Sequence, residues 1–190
     1  MTSFEFVFGM ISVITSLALT RLLGDCVTLL RHADRVRLSW RHACWTAVAF
    51  MILIGNWASF WQQRGVQAWG AMDVLIPLVF VGVLYAFCDL VMPDVPADGT
   101  VLDLREYHAR QGRRYVLLQL VFAMLAMLVI ARNAASFSQW LHAARFAVVA
   151  MVGSAIALLT RRAWLDTAVA TGLAILAAIF MWTRLEALAG

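Results

Sequence analysis

Long apolar stretches limit what this chain can fold into more than any other feature of its sequence. A helix needs about 20 consecutive apolar residues to cross the hydrocarbon core of a bilayer. The chain is 63% hydrophobic and 14% charged, well outside the range of soluble domains. We therefore predict a single all-α transmembrane domain over residues 1–190, built as a bundle of about six transmembrane helices. The predicted spans are about 5–30, 43–62, 71–92, 115–132, 143–160 and 164–184.

The placement of arginine predicts how the helices are oriented. The chain contains no lysine, so all 15 of its basic residues are arginine, and basic residues are enriched in cytoplasmic loops. Ten of them lie in the connections after helices one, three and five. We therefore expect these three loops to be cytoplasmic and both termini to lie outside. The ten are Arg31, Arg35, Arg37, Arg41, Arg105, Arg110, Arg113, Arg114, Arg161 and Arg162.

Tryptophan and cysteine positions agree with this orientation. The Trp residues lie near the predicted helix ends, which is typical of the aromatic belts at the two membrane interfaces. Cys26, Cys44 and Cys88 lie near predicted cytoplasmic ends, where thiols stay reduced, so we expect three free thiols. The eight Trp residues are Trp40, Trp45, Trp57, Trp61, Trp69, Trp140, Trp164 and Trp182.

Helix one carries a stripe of small and hydroxyl-bearing residues. They recur every four positions, a spacing that indicates one helix face. Small residues let two helix backbones approach closely, and hydroxyls can form hydrogen bonds across the contact. We therefore expect helix one to pack through this stripe, within the bundle or in an oligomer. The stripe consists of Ser12, Ser16, Thr20, Gly24 and Thr28.

Two opposite charges, Arg21 and Asp25, interrupt the apolar run of helix one. They are four positions apart and so are neighbours on the helix surface. Arg21 is expected near the middle of the membrane. Its side chain should lean toward the helix N-terminus, which makes the cytoplasmic surface hard to reach and a partner necessary. Helix three carries Tyr85 and Asp89 on one face at a similar depth, which predicts a cluster of all four residues between helices one and three.

Two interpretations of this cluster are open. Ionisable groups inside a membrane often mark an ion or proton pathway, or an anchor for a charged substrate. The same pair could instead be a structural ion pair that fixes the register of the helices. Helices four to six carry few polar groups and are predicted to act as a packing scaffold.

The other polar residues indicate no catalytic, metal or cofactor site. His32, His42, His108 and Cys44 lie on the predicted cytoplasmic side, but their spacing matches no standard metal site. The chain has no H-E-x-x-H motif, no phosphate-binding loop and no G-x-S-x-G motif. The net charge of +4 comes from arginines in short loops, which favours a membrane surface over nucleic acid as the partner.

Three segments carry a resemblance to known proteins. They are FEFVFGMISVITSLALTRLLG, RVRLSWRHACWTAVAF and DLREYHARQGRR. Through these segments the chain resembles a loosely defined group of small bacterial multi-pass membrane proteins. The resemblance implies a location in the bacterial cytoplasmic (inner) membrane. It implies no activity and no functional role for Arg21.

These observations predict a small channel or transporter component for an ion or small solute, with Arg21 and Asp25 in its pathway. The chain is small for a transporter acting alone, so a homo-oligomer is expected. One alternative is a non-transporting anchor, sensor or assembly subunit whose basic cytoplasmic loop binds anionic lipid or a protein partner. A further alternative is a lipid-modifying enzyme at the inner face, which would use Asp94, Asp98 and Asp103.

Overall fold

Six long α-helices dominate the computed structural model, which describes residues 2–65, 70–96, 99–160 and 162–189. Each is long and apolar enough to cross a membrane, which confirms the all-α class and indicates a multi-pass membrane protein. Three residues named in the predictions from the sequence, Trp69, Asp98 and Arg161, lie outside the described residues. The helices are α1 (Ser3–Arg31), α2 (Trp40–Trp61), α3 (Ala71–Val91), α4 (Leu104–Asn133), α5 (Phe137–Leu159) and α6 (Ala163–Ala189).

Side-chain caps set where several helices begin. The Thr2 hydroxyl accepts from the Glu5 backbone N–H over 3.2 Å, and the Glu5 carboxylate accepts from the Thr2 backbone N–H over 2.8 Å. This reciprocal pair satisfies two donors that a helix start leaves unpaired. At α5 the Ser136 hydroxyl accepts from the Gln139 backbone N–H over 3.2 Å.

Helix α4 begins earlier than its predicted span of 115–132. The Asp103 carboxylate caps it by accepting from the backbone N–H groups of Arg105 and Glu106, over 2.8 and 3.4 Å. Glu106 and Arg110 then form an ion pair one turn apart. Capping and ion pairing extend the helix into a polar segment, which a search for apolar residues alone does not include.

Five of the helices form a ring. Helices α2, α6, α5, α4 and α3 pack against one another in that order, and α3 closes the ring on α2. Helix α1 packs outside the ring, against α2 and α3. Consecutive helices alternate in direction, so the α1–α2, α3–α4 and α5–α6 connections share one end. We call this the Arg-rich end, and the opposite end, where both termini lie, the terminal end.

The stripe of α1 does not form its contact with the bundle. Ser16, Thr20 and Gly24 are exposed. The Ser12 hydroxyl does reach the bundle and accepts from Trp57 Nε1 over 3.0 Å. Thr28 bonds within its own helix, donating to the Gly24 carbonyl over 2.9 Å.

The reason is helix geometry. Residues four apart drift by about 40° at each step because a turn holds about 3.6 residues, so a strict four-residue stripe winds off the packing face. The buried residues of α1 combine spacings of three and four and stay on one face. Packing against a second copy of the chain stays a prediction. The buried set of α1 is Phe4, Val7, Ile11, Thr15, Ala18 and Leu22.

A short backbone pairing joins two connections at the Arg-rich end. Strand β1 (Val36–Arg37) pairs in parallel with β2 (Leu102–Asp103), and an ion pair of 4.0 Å links Arg37 to Asp103. Gly99 precedes β2 with a φ of 79°, a left-handed conformation that glycine adopts without strain. The α1–α2 and α3–α4 connections are therefore held against each other.

Candidate functional site

The five-helix ring encloses a cavity of about 480 Å³. Among the described residues, its lining comes from α2 to α6 and the short segment after α2, and α1 contributes none. The lining runs along α2 from Val48 to Gln62, a rise of about 20 Å at 1.5 Å per residue. The rim lies at the terminal end, where Gln62, Asp73 and Arg184 are found. Its volume falls in the range of small-molecule sites, about 300–1,000 Å³.

Phenylalanine side chains form much of the cavity wall. Each helix of the ring contributes one: Phe60, Phe80, Phe122, Phe146 and Phe180, in the order α2 to α6. Phe80 and Phe122 have ring centroids 4.4 Å apart, and Phe146 and Phe180 lie edge to face at 5.6 Å. Such a wall suits an apolar or aromatic body.

Two carboxamide side chains interrupt this apolar wall. Asn56 of α2 is 5% exposed and Gln119 of α4 is 1% exposed. In the described part of the chain, Asn56 Nδ2 and Gln119 Oε1 have no hydrogen-bond partner. An unpaired buried donor or acceptor costs about 1–3 kcal/mol. Both atoms are themselves almost inaccessible to solvent, so a bound molecule or water would pair with them only after a side-chain rotation in the cavity wall.

Within the described ranges, the rim carries one charged group that is paired with an opposite charge, Asp73, and one that is not, Arg184. Asp73 lies 3.6 Å from Arg132 and also accepts from the Gly70 backbone N–H over 3.0 Å, so its charge is neutralised. Arg184 Nη1 donates to Gln62 Oε1 over 3.2 Å, and its guanidinium lies 5.3 Å from the centroid of the Phe180 ring. Among the described residues that line the cavity, Arg184 is the one cation.

Two aromatic residues close the cavity toward the Arg-rich end. Trp45 and Tyr115 are fully buried, with ring centroids 5.8 Å apart. They lie one turn beyond Val48 and Gln119, which line the cavity floor. We call Trp45 and Tyr115 the aromatic plug. No described lining residue lies beyond the plug at this end, whereas the lining continues to Gln62 and Arg184 at the terminal end.

A polar network lies just beyond the aromatic plug. Arg41 Nη1 donates to Asp166 Oδ2 over 3.0 Å, and His108 Nε2 lies 2.9 Å from the same oxygen. His108 Nδ1 forms a further hydrogen bond with the Tyr115 hydroxyl. Gly112 leaves room for the imidazole, since a Cβ there would lie 3.0 Å from it. The network ties α2, α4 and α6 together and anchors one member of the plug.

Sequence reasoning missed this network and the cavity. Arg41 and Asp166 are separated by 125 positions, and His108 and Asp166 by 58, so no local spacing connects them. Helices α4 to α6, predicted to be a packing scaffold, supply more than half of the cavity lining. The available signals were Asn56 and Gln119, two polar residues inside apolar spans.

The residues predicted to cluster around Arg21 do come together. Arg21 Nε lies 2.5 Å from Asp89 Oδ1 and 3.8 Å from Asp25 Oδ2. Arg21 Nη2 also lies 3.8 Å from Asp94 Oδ1, a partner that the sequence-based cluster did not include. Tyr85 lines the same groove between α1 and α3. Because Asp89 and Asp94 are its partners, Arg21 extends toward the Arg-rich end, contrary to the expected lean toward the helix N-terminus.

The Arg21 groove is separate from the cavity. It is open, it lies on the outside of the ring, and it shares no lining residue with the cavity. Arg21 itself is 45% exposed. Thr20, Gly24 and Gly82 form the small-residue part of its wall. The charged pair and the enclosed cavity are therefore two distinct features of the molecule.

The cysteine and histidine side chains form no metal site in the described residues. Cys26, Cys44 and Cys88 are free thiols. No group of three or more His, Cys, Asp or Glu side chains within the described ranges could hold a metal ion. His42 packs edge to face on Tyr107, with ring centroids 5.8 Å apart. His42 and His108 thus contact the aromatic and polar side chains at the Arg-rich end.

Comparison with known proteins does not identify a relative. No family model, no curated protein and no solved structure matches the chain. The described residues form an all-helical protein with six candidate membrane spans, which indicates a multi-pass membrane protein.

Proposed function

We propose that this chain is a transporter component that binds a small solute in the cavity of the five-helix ring. The observation that carries the proposal is the cavity of about 480 Å³, whose lining extends from the residues next to the aromatic plug to Gln62 and Arg184 at the terminal end. Carriers hold their solute near the middle of the membrane and expose it to one side at a time. A cavity with aromatic walls and two buried carboxamides fits one such access state.

The proposal includes an orientation and a location. With the Arg-rich end in the cytoplasm, as the distribution of arginine favours, both termini lie outside and the cavity opens outward. The membrane would be the bacterial cytoplasmic membrane. The aromatic plug and the Arg41–Asp166–His108 network then form the cytoplasmic gate. Opening the gate requires α2, α4 and α6 to separate at this end, a rigid-body movement of the kind seen in domain closure.

The solute route in this proposal is the cavity and not the Arg21 groove. Arg21 and its three aspartate partners join α1 to the end of α3, outside the ring. Their role in the proposal is to fix α1 in register, with Arg21 offsetting part of the negative charge of the three carboxylates. A second candidate is ion conduction along the groove, which is favoured by the cluster of four ionisable groups at a membrane-embedded helix pair.

Cysteine accessibility tests the cavity and the orientation together. In a background without Cys26, Cys44 and Cys88, a single cysteine replaces Ala147 in the cavity or Ala109 on the exposed face of α4. A membrane-impermeant maleimide is applied to right-side-out and to inside-out vesicles. We expect Ala147→Cys to react from outside only, and Ala109→Cys from inside only.

A matched control separates the cavity from the lipid-facing surface. Val149 lies on α5, two positions from Ala147, and is exposed on the outside of the ring. Val149→Cys should stay unlabelled, since a thiol in hydrocarbon does not ionise. Equal labelling of Ala147→Cys and Val149→Cys would refute an aqueous cavity. Labelling of Ala147→Cys from both sides at equal rates would indicate an open channel in place of a carrier.

A further inference from the structure

We propose that the cavity takes an amphiphilic organic anion, with its carboxylate at Arg184 and its apolar body against the phenylalanine wall. This inference rests on the proposed function of the cavity and specifies the class of its solute. It is carried by the contacts of Arg184, by the other charges at the rim and by the shape and chemistry of the cavity behind them.

Arg184 carries a charge that no described carboxylate neutralises. Across residues 2–65, 70–96, 99–160 and 162–189, no aspartate or glutamate oxygen forms an ion pair with it. Its Nε is buried and has no hydrogen-bond partner among these residues. Glu186, two positions along α6, is exposed and accepts from Trp182 Nε1 over 2.6 Å. A carboxylate bound at the rim would accept from the terminal Nη groups and neutralise the guanidinium, which presents its donors in a fork that matches carboxylate oxygens.

The remaining charges at the rim reinforce this preference. Asp73 and Arg132 neutralise each other at 3.6 Å. Arg145 of α5 bonds to His142 Nε2 over 3.2 Å, packs on Phe146 and interacts electrostatically with Arg184. The rim is therefore net positive. A positive field at the mouth of a low-dielectric cavity concentrates anions and repels cations.

The cavity interior indicates the chemistry of the rest of the bound solute. Phe180, on which the Arg184 guanidinium lies, is part of the cavity wall, so the anion site is continuous with the apolar interior. Asn56 lies six positions before Gln62 on α2, which places it about 9 Å deeper at 1.5 Å per residue. Among the described residues, Asn56 carries an unpaired donor at that depth, and Gln119 carries an unpaired acceptor about 12 Å deeper, beside Val48 at the cavity floor. The class is thus a monocarboxylate with an aromatic or compact aliphatic body.

Three fluorinated probes with the same trifluoromethylphenyl group test which polar head group the cavity prefers. They are 4-(trifluoromethyl)benzoate, the corresponding benzyl alcohol and the corresponding benzylamine. Binding to the purified protein in phosphatidylcholine nanodiscs is measured by fluorine NMR, with protein-free nanodiscs as the reference for partitioning into lipid. We expect the benzoate to bind about tenfold or more tightly than the alcohol, because hydrogen bonds to a charged group are the stronger ones. The amine should bind weakest.

Variants tie this preference to Arg184. Arg184→Gln should weaken benzoate binding about tenfold or more and leave the alcohol unchanged. Arg184→Lys keeps the charge and should retain part of the preference. Arg64→Gln is the matched control, since Arg64 is an exposed arginine beside Trp61 and outside the cavity lining. Melting temperatures confirm that each variant is folded.

The outcomes separate this inference from the proposed function. Equal binding of the benzoate and the alcohol, both lost on filling the cavity with Ala147→Phe, would overturn the anion preference and leave the solute cavity standing. An Arg184→Gln variant with unchanged benzoate affinity would also overturn it. No binding of any probe above protein-free nanodiscs would count against both the anion site and the solute cavity.

Discussion

Arg41 and Asp166 lie 125 positions apart in the chain, yet Nη1 of Arg41 donates to Oδ2 of Asp166 over 3.0 Å. Both side chains are largely buried, at 16% and 13% exposure, and His108 bonds to the same carboxylate oxygen. The pair joins the first turns of α2 and α6, two helices of the ring that run in parallel. It lies directly beyond the aromatic plug, where the proposed gate would open.

Removing Asp166 should destabilise the protein strongly. The Asp166→Ala change leaves the Arg41 guanidinium buried without a partner, and breaking a buried ion pair costs about 3–5 kcal/mol. We expect a lower melting temperature in nanodiscs. Asp34→Ala is the control, because Asp34 is 72% exposed and pairs with Arg35 at the surface. Equal melting temperatures for the two variants would contradict a structural role for the Asp166 network.

The Arg21 cluster should be structural and should conduct nothing. We expect proton and monovalent-ion flux in proteoliposomes to match that of empty liposomes. An Arg21→Met/Asp25→Leu variant should give the same result, because the groove lies outside the ring. Flux in the parent protein that disappears in this variant would support the second candidate, conduction along the α1–α3 groove. Arg21→Met alone should lower stability by about 1 kcal/mol, since Arg21 is partly exposed.

Close packing of α2 on α6 should make Gly55 intolerant of a side chain. A Cβ at Gly55 would lie 2.7 Å from Phe180 Cε1 and 3.2 Å from the Met181 backbone Cα. Gly55→Ala should therefore cost about 1–3 kcal/mol by overpacking and shift Phe180 in the cavity wall. The measurement is the melting temperature of the purified protein.

Gly24→Ala is the matched comparison, because a Cβ at Gly24 meets nothing within 4 Å. In a monomer this change should be neutral or slightly stabilising, as alanine favours helices. A Gly24→Ala variant that loses an oligomer seen for the parent in light scattering would locate a contact between copies at the α1 stripe. A neutral Gly55→Ala variant would contradict the described α2–α6 packing.

Removing the aromatic plug should open the cavity at both ends. Trp45→Ala deletes a fully buried side chain beside Tyr115. In this background Ala147→Cys should react with impermeant maleimide in inside-out vesicles as well as in right-side-out vesicles. Trp164→Ala, at an exposed tryptophan of α6, should leave labelling restricted to one side. Labelling that stays one-sided without Trp45 would place the barrier elsewhere.

Most of the Arg21 cluster was predictable because it depends on depth in the membrane, whereas the cavity was not predicted. Arg21 and Asp25 are neighbours on one helix, and Asp89 follows from counting residues along a helix of the same direction. The bilayer converts sequence position into depth, so charges at similar depth on adjacent helices can be expected to meet. Asp94 was not included in the cluster because it follows the end of α3, where residue counting no longer gives position.

The sequence by itself determined that the chain forms six apolar helices in a membrane, since helix formation and apolar length are local properties. Only the tertiary structure decided that five helices close into a ring, that α1 stays outside and that Arg184 and Asp166 lie where they do. The physical reason is that lipid-facing and core-facing surfaces are both apolar in a membrane, so hydrophobic patterning carries little information about which faces pack. Which faces pack together depends on shape complementarity between helices that are distant in the sequence.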